Sequence, residues 1–115
     1  MLTSQTLIEQ LNTQPETVAF QDVIAVIDNE YTFTPTAFTN GEQKNDANEN
    51  NGSCKILSFA KLNQLSSEST LHLFGDFYRK DVLEHPTATD HQNIRQFILN
   101  GWNGVAFEGQ ALTVK

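Results

Sequence analysis

The stretch from Phe20 to Phe38, FQDVIAVIDNEYTFTPTAF, changes its apolar period midway, and that change decides the fold class. Phe20, Val23, Ile24, Ile27 and Tyr31 fall at i, i+3, i+4, i+7 and i+11, one continuous stripe of a helix. The β-branched content would allow a strand, but strict alternation would put Asp22 and Asp28 on the face of Ile24. From Tyr31 the period becomes two: Tyr31 and Phe33 alternate with Thr32 and Thr34, which predicts a short, half-exposed strand running towards Phe38. Pro35 has no N–H for a ladder, so this strand is an edge or bends there.

Working outward, Thr13-Gln14-Pro15-Glu16 matches a capping box that would open this helix. Ahead of it, MLTSQTLIEQLNTQ predicts a short amphipathic helix with Leu7, Ile8 and Leu11 on one side. Its Ser, Thr and Gln content also suits an uncleaved type III secretion signal. Downstream, Asn40 to Ser53 (NGEQKNDANENNGS) has Ala47 as its sole apolar member and reads as a mobile surface loop, 40–53, carrying a glycosylation-like Asn51-Gly52-Ser53. Ser53 would cap a helix from Cys54 to Leu65, with Ile56, Phe59, Ala60 and Leu62 inward. Ser66 or Ser67 would start another, whose row is Leu71, Phe74, Tyr78 and Val82. Gly75 marks close packing or a break in it, and Pro86 ends it. Asp90 would cap a last helix carrying Ile94, Phe97 and Ile98, with Gly101 just past its end. The tail from Val105 to Val114 alternates and should pair with Tyr31–Phe38. The expectation is an α+β fold, a helix-dominated single domain over 1–115 with a small antiparallel sheet.

At 115 residues, with 38% apolar content and eight phenylalanines, the chain can bury a core. Its net charge of −7 and seven scattered basic residues argue against nucleic-acid binding and against docking on anionic membranes. No apolar run reaches bilayer length, and the amino terminus lacks the basic start and continuous apolar stretch of a secretory signal. One cysteine, Cys54, excludes an internal disulfide and fits a reducing compartment.

Titratable groups concentrate between Phe74 and Arg95, FGDFYRKDVLEHPTATDHQNIR. The candidate binding site is Asp76, Tyr78, Arg79, Asp81, His85, Asp90, His91, Arg95 and Trp102. His72, Asp76 and Arg79 share a helix face, where a salt-bridged surface competes with a functional reading. The short loop between His85-Pro86 and Asp90-His91 can hold both imidazoles near one another. An Asp-oriented histidine is the basic unit of general acid–base chemistry, although Asp90 is also explained as a helix cap. With no HExxH and no CxxC, no metal and no cofactor is expected. Cys54 at a helix start is a candidate reactive thiol, the alternative being a small buried hydrophobe.

Asn51-Gly52-Ser53-Cys54-Lys55, Phe74-Gly75-Asp76 with Tyr78-Arg79, Asp81-Val82-Leu83, His85-Pro86, Asp90-His91-Gln92-Asn93-Ile94-Arg95, Gly101-Trp102 and Ala111-Leu112-Thr113 together resemble the HopJ type III effector family. Phe77 stands where that family has Tyr, and Val114 where it has Pro. The resemblance implies a bacterial cytoplasmic protein of a kind that plant pathogens deliver into host cells by type III secretion. It brings no catalytic residue to this chain. The expected activity is binding of a polar small molecule or of a host or bacterial protein. The competing expectation is a small hydrolase or transferase with an Asp-oriented His as general base.

Overall fold

In a computed structural model, which describes residues 2–115, the helices wrap a central one and two small antiparallel sheets close one side. Helix α1 spans Ser4–Thr13; Thr3 and Thr6 form a reciprocal capping box, and Leu7 and Leu11 are buried. The Thr13–Glu16 capping box is a correction. Pro15–Thr17 is a separate 3₁₀ turn, and α2 begins later, at Phe20–Glu30, without a side-chain cap. Val23, Val26 and Ile27 carry its buried face.

Helix α2 runs straight into strand β1, Tyr31–Phe33, where the apolar period changes. Strands β2 (Phe38–Asn40) and β3 (Gln43–Asn45) follow as a hairpin, and β4 (Val105–Phe107) and β5 (Leu112–Val114) come from the tail. The predicted pairing of the tail with Tyr31–Phe38 forms as two ladders in one shared register. Tyr31 faces Val114 and Phe33 faces Leu112; further along, Phe38 faces Phe107 and Asn40 faces Val105. Between them the pair opens around Pro35, bracketed by Thr34 N–H to Ala111 O at 2.8 Å and Glu108 N–H to Ala37 O at 3.0 Å. A missing donor in mid-strand is the physical reason for the opening.

The segment 40–53 is not the structureless loop its composition suggested: β3 pairs with β2, and residues 51–53 are the first turn of α3, Asn51–Leu62. Ser53 is therefore inside that helix and does not cap it. From Ile56 to Ala60 every residue of α3 is buried, as expected of a helix surrounded on all sides. It anchors the single apolar cluster shared with Leu7, Val23, Ile27, Phe38, Leu73, Phe97 and Leu112.

The long helix expected up to Pro86 breaks. Helix α4 covers Ser67–His72, and after Gly75 the chain resumes as a π-helical turn, Phe77–Val82. Gly75 has φ +62°, and a Cβ there would lie 2.7 Å from the Phe20 backbone nitrogen, so close packing and the break have one cause. Helix α5, Gln92–Asn100, ends at Gly101 as predicted, and a 3₁₀ turn, Gly101–Gly104, leads into β4. No helix among the described residues is long and apolar enough to cross a membrane.

Candidate functional site

The charged stretch does not form one cluster; it divides within the π-helical turn, where Arg79 and Asp81 turn to different neighbours. On one side, Arg79 reaches back to the 3₁₀ turn before α2. Its Nη1 donates to Pro15 O at 3.2 Å and His72 O at 3.3 Å, and its Nη2 donates to Val18 O. His72 Nδ1 lies 3.3 Å away and Asp76 Oδ1 3.9 Å. Burial first, and the Arg79 charge second, hold the His72 pKa below the ordinary histidine value. Tyr78 packs edge-on against His72. These residues pin two segments together.

On the other side, His91 Nε2 lies 3.1 Å from Asp81 Oδ2 and 3.8 Å from Asp90 Oδ2. Both carboxylates meet the same nitrogen, so Nε2 carries the proton and Nδ1 is the ring's open edge. Asp81 sits on the π-helical turn, a rare conformation that recurs at functional sites. His91 is the residue before α5 and holds φ +52°, left-handed backbone that costs about 1–2 kcal/mol for a residue with a Cβ. The predicted Asp90 cap is a correction: the α5 N-cap position belongs to His91. Asp90 Oδ1 instead accepts from Arg95 Nη2 at 2.8 Å. That hydrogen bond, above all, holds the Asp90 carboxyl below the usual carboxylate range. Arg95 also donates to Asp90 O and, through Nη1, to His85 O.

An open cleft of about 460 Å³ lies beside His91. Phe20, Phe74, Phe77 and Ile94 line its apolar part; Gln43, Asn50, Ser53, His91, Gln92 and Asn93 line the rest. Phe77 stacks obliquely on His91 at 5.2 Å between centroids and meets Phe20 edge-on at 5.0 Å. No carboxylate lines this cleft among the described residues.

Beneath it is a buried amide network. Asn40 Nδ2 donates to Asn93 O at 2.7 Å, and Asn93 Nδ2 donates to Asn45 Oδ1 at 3.0 Å. Asn45 Nδ2 in turn donates to Asn93 Oδ1 at 3.2 Å, and Asn50 Nδ2 to Asn45 Oδ1 at 2.6 Å. The network ties the β2–β3 hairpin and the residue before α3 to the first turn of α5, and so fixes the cleft's polar wall.

Of the residues picked out from sequence, Asp81, Asp90, His91 and Arg95 converge, and His91 alone among them faces the cleft. His85 contributes its carbonyl, and its ring is exposed. Asp76 and Arg79 belong to the other cluster. Trp102 packs edge-on against Phe97 and donates from Nε1 to Leu65 O at 3.0 Å. Cys54 is buried one turn inside α3, its N–H bonded to Asn50 O. Its thiol points to Thr36 O, and burial pushes the pKa up, the opposite of what a reactive thiolate requires. No group of metal-ligating side chains occurs among the described residues.

Sequence reading missed Phe20, Phe77, Gln43, Asn50, Ser53 and Asn93 as cleft residues. The available signal was the density of asparagine between Asn40 and Asn51, where left-handed backbone (Asn48 at φ +72°, Asn50 at φ +53°) favours that residue.

Fold and cleft together define a small α+β protein with one amide-backed aromatic cleft beside an Asp-oriented histidine. The HopJ type III effector protein family model matches residues 4–112, and the chain belongs to that family. The crystal structure of the unknown function protein VPA0580 is similar throughout. Its sequence is 54% identical, with a TM-score of 0.97 over 99% of this chain and 95% of that one. No curated protein matches the chain.

Proposed function

We propose that the protein acts by binding a small polar ligand in the cleft beside His91. The observation that carries this reading is the division of labour in its walls: phenylalanine rings on one side, amide, hydroxyl and imidazole groups on the other. Such a cavity takes a molecule with a flat or apolar part against Phe77 and Phe20 and hydrogen-bonding groups towards His91, Gln92 and Ser53. No carboxylate among the described residues lines the cleft, so nothing there selects a cationic ligand. Family membership supports a protein exported by a type III apparatus, and a cleft of this kind is compatible with action in a recipient cell or in the producing one.

Protein-observed NMR with a library of small aromatic amides, acids and alcohols tests binding. Ligands should shift the amides of Gly52, Ser53 and His91–Asn93, and His91→Ala should weaken them about tenfold. A library that leaves those amides unmoved ends the reading. Export is tested separately, by a translocation reporter fused behind the chain in a strain with and without its type III apparatus.

The Asp81–His91 contact favours a second reading, a hydrolase or transferase with His91 as general base. Asp81→Asn separates the two, because it leaves the cleft wall intact while removing the carboxylate that orients the imidazole. Turnover lost with binding retained supports the enzyme; binding with no turnover of any bound ester, amide or phosphoester supports the binding protein.

A further inference from the structure

A second depression, about 370 Å³, lies between the C-terminal half of α3 and the chain joining β4 to β5, and shares no residue with the His91 cleft. On α3 its wall is Ser58, Lys61 and Leu62, the i, i+3 and i+4 positions of one face. Phe107, Ala111 and Leu112 supply the facing apolar wall. Two polar groups on the helical side have capacity left over. Ser58 is 6% exposed, and its Oγ is buried with no hydrogen-bond partner. The thiol of Cys54 beside it is a weak acceptor that directs its own proton to Thr36 O. Gln110, by contrast, spends its side-chain donor on Leu112 O at 3.0 Å.

The second group is Lys61, the one charged residue that lines this depression among the described residues. Elsewhere Lys55 meets Asp28 and Arg95 meets Asp90, each at 2.8 Å, while Arg79 and Lys80 lie beside Asp76. Lys61 has no carboxylate within ion-pair distance among the described residues; its ammonium sits 5.6 Å from the centre of the Phe107 ring. Glu108, its neighbour along the tail, lines a different depression. We propose that this depression binds a small monocarboxylate with an apolar body. One carboxylate oxygen meets the Lys61 ammonium, the other accepts from the Ser58 hydroxyl, and the body packs on Leu62, Phe107 and Leu112. One cation and one hydroxyl match a singly charged group, whereas a phosphate asks for more donors than this wall carries. The apolar majority of the lining selects against a bare inorganic anion.

The probes are isocaproate and phenylacetate, each paired with its uncharged carboxamide and titrated into the isotope-labelled full chain. The carboxylates should shift backbone signals of residues 58–62 and 107–112 and bind at least about tenfold more tightly than the carboxamides at low salt. Lys61→Met keeps an apolar stem and removes the charge. It should weaken the carboxylates about tenfold and leave the carboxamides unchanged. Ser58→Ala should weaken the carboxylates about threefold without lowering the melting temperature, because the hydroxyl has no internal partner to lose. Equal binding of carboxylate and carboxamide, shifts confined to the His91 cleft, or indifference to Lys61→Met would each overturn the proposal. So would a melting temperature lowered by Ser58→Ala with carboxylate affinity intact, because the hydroxyl would then serve Cys54. Failure here leaves the His91 reading standing, since the two sites report on different backbone signals.

Discussion

Arg79 and His91 come from one charged stretch of sequence, yet the fold gives them opposite tasks. Arg79, with 16% of its side chain exposed, directs its donors to main-chain carbonyls of the segment before α2. His91, at 29%, meets carboxylates through one nitrogen and leaves the other edge free beside a cleft. A side chain whose hydrogen-bonding capacity is filled from within holds structure; one with capacity left over, at an opening, can serve a ligand.

The comparison breaks first at Arg79. Arg79→Ala strands the carbonyls of Pro15 and Val18, so urea unfolding should show a loss of about 3 kcal/mol. Arg79→Lys should recover less than half, because an ammonium cannot reproduce the fork. A loss under about 1 kcal/mol would mean that Arg79 is not structural in this sense. Next in size is Asn93→Ala, which takes from the buried Asn45 amide both its bonds to the Asn93 side chain, while the Asn40 bond to the Asn93 main-chain carbonyl survives. It should cost about 2 kcal/mol and also distort the cleft, visible as amide shifts at Asn50 and Gly52.

His91→Gln and Asp81→Asn sharpen the contrast from the other side. Both groups are partly exposed, so each substitution should change stability by less than about 1 kcal/mol, while ligand binding falls for His91→Gln and is retained for Asp81→Asn. A stability loss as large as that at Arg79 would make the pair structural. The smallest effects are in pH. Because His72 is held neutral in the folded chain, the unfolded chain binds more protons below about pH 6.5; stability is full above that pH and declines as pH falls towards the folded value. His72→Gln should flatten that slope in chemical unfolding followed from pH 7 to 5. Asp90 behaves alike at lower pH. Its contribution is present above about pH 3.8 and is lost as the pH falls through its depressed folded value, so Asp90→Asn should flatten the acid edge.

Much of the architecture was legible. The period change at Tyr31 placed β1, the alternation after Val105 found its partner strands, and Gly101 marked the end of α5. Pro35 foretold the opening between the ladders. The errors lie where polar residues became interior. Asn40 and Asn45 read as loop because composition counts asparagine as surface, whereas here both amides bond Asn93 in the first turn of α5. Asp90 matched an N-cap by type, but the left-handed backbone at His91 turned it towards Arg95.

What the chain alone determined is the class: a helix-dominated α+β domain whose tail pairs with the strand after Tyr31, an acidic composition and family membership, because these rest on local period, composition and motif. What only tertiary structure decided is which charged side chain is filled and which is left open. That depends on the carbonyls and amides brought close by segments far apart in sequence, and hydrogen-bond satisfaction is a property of the assembled neighbourhood.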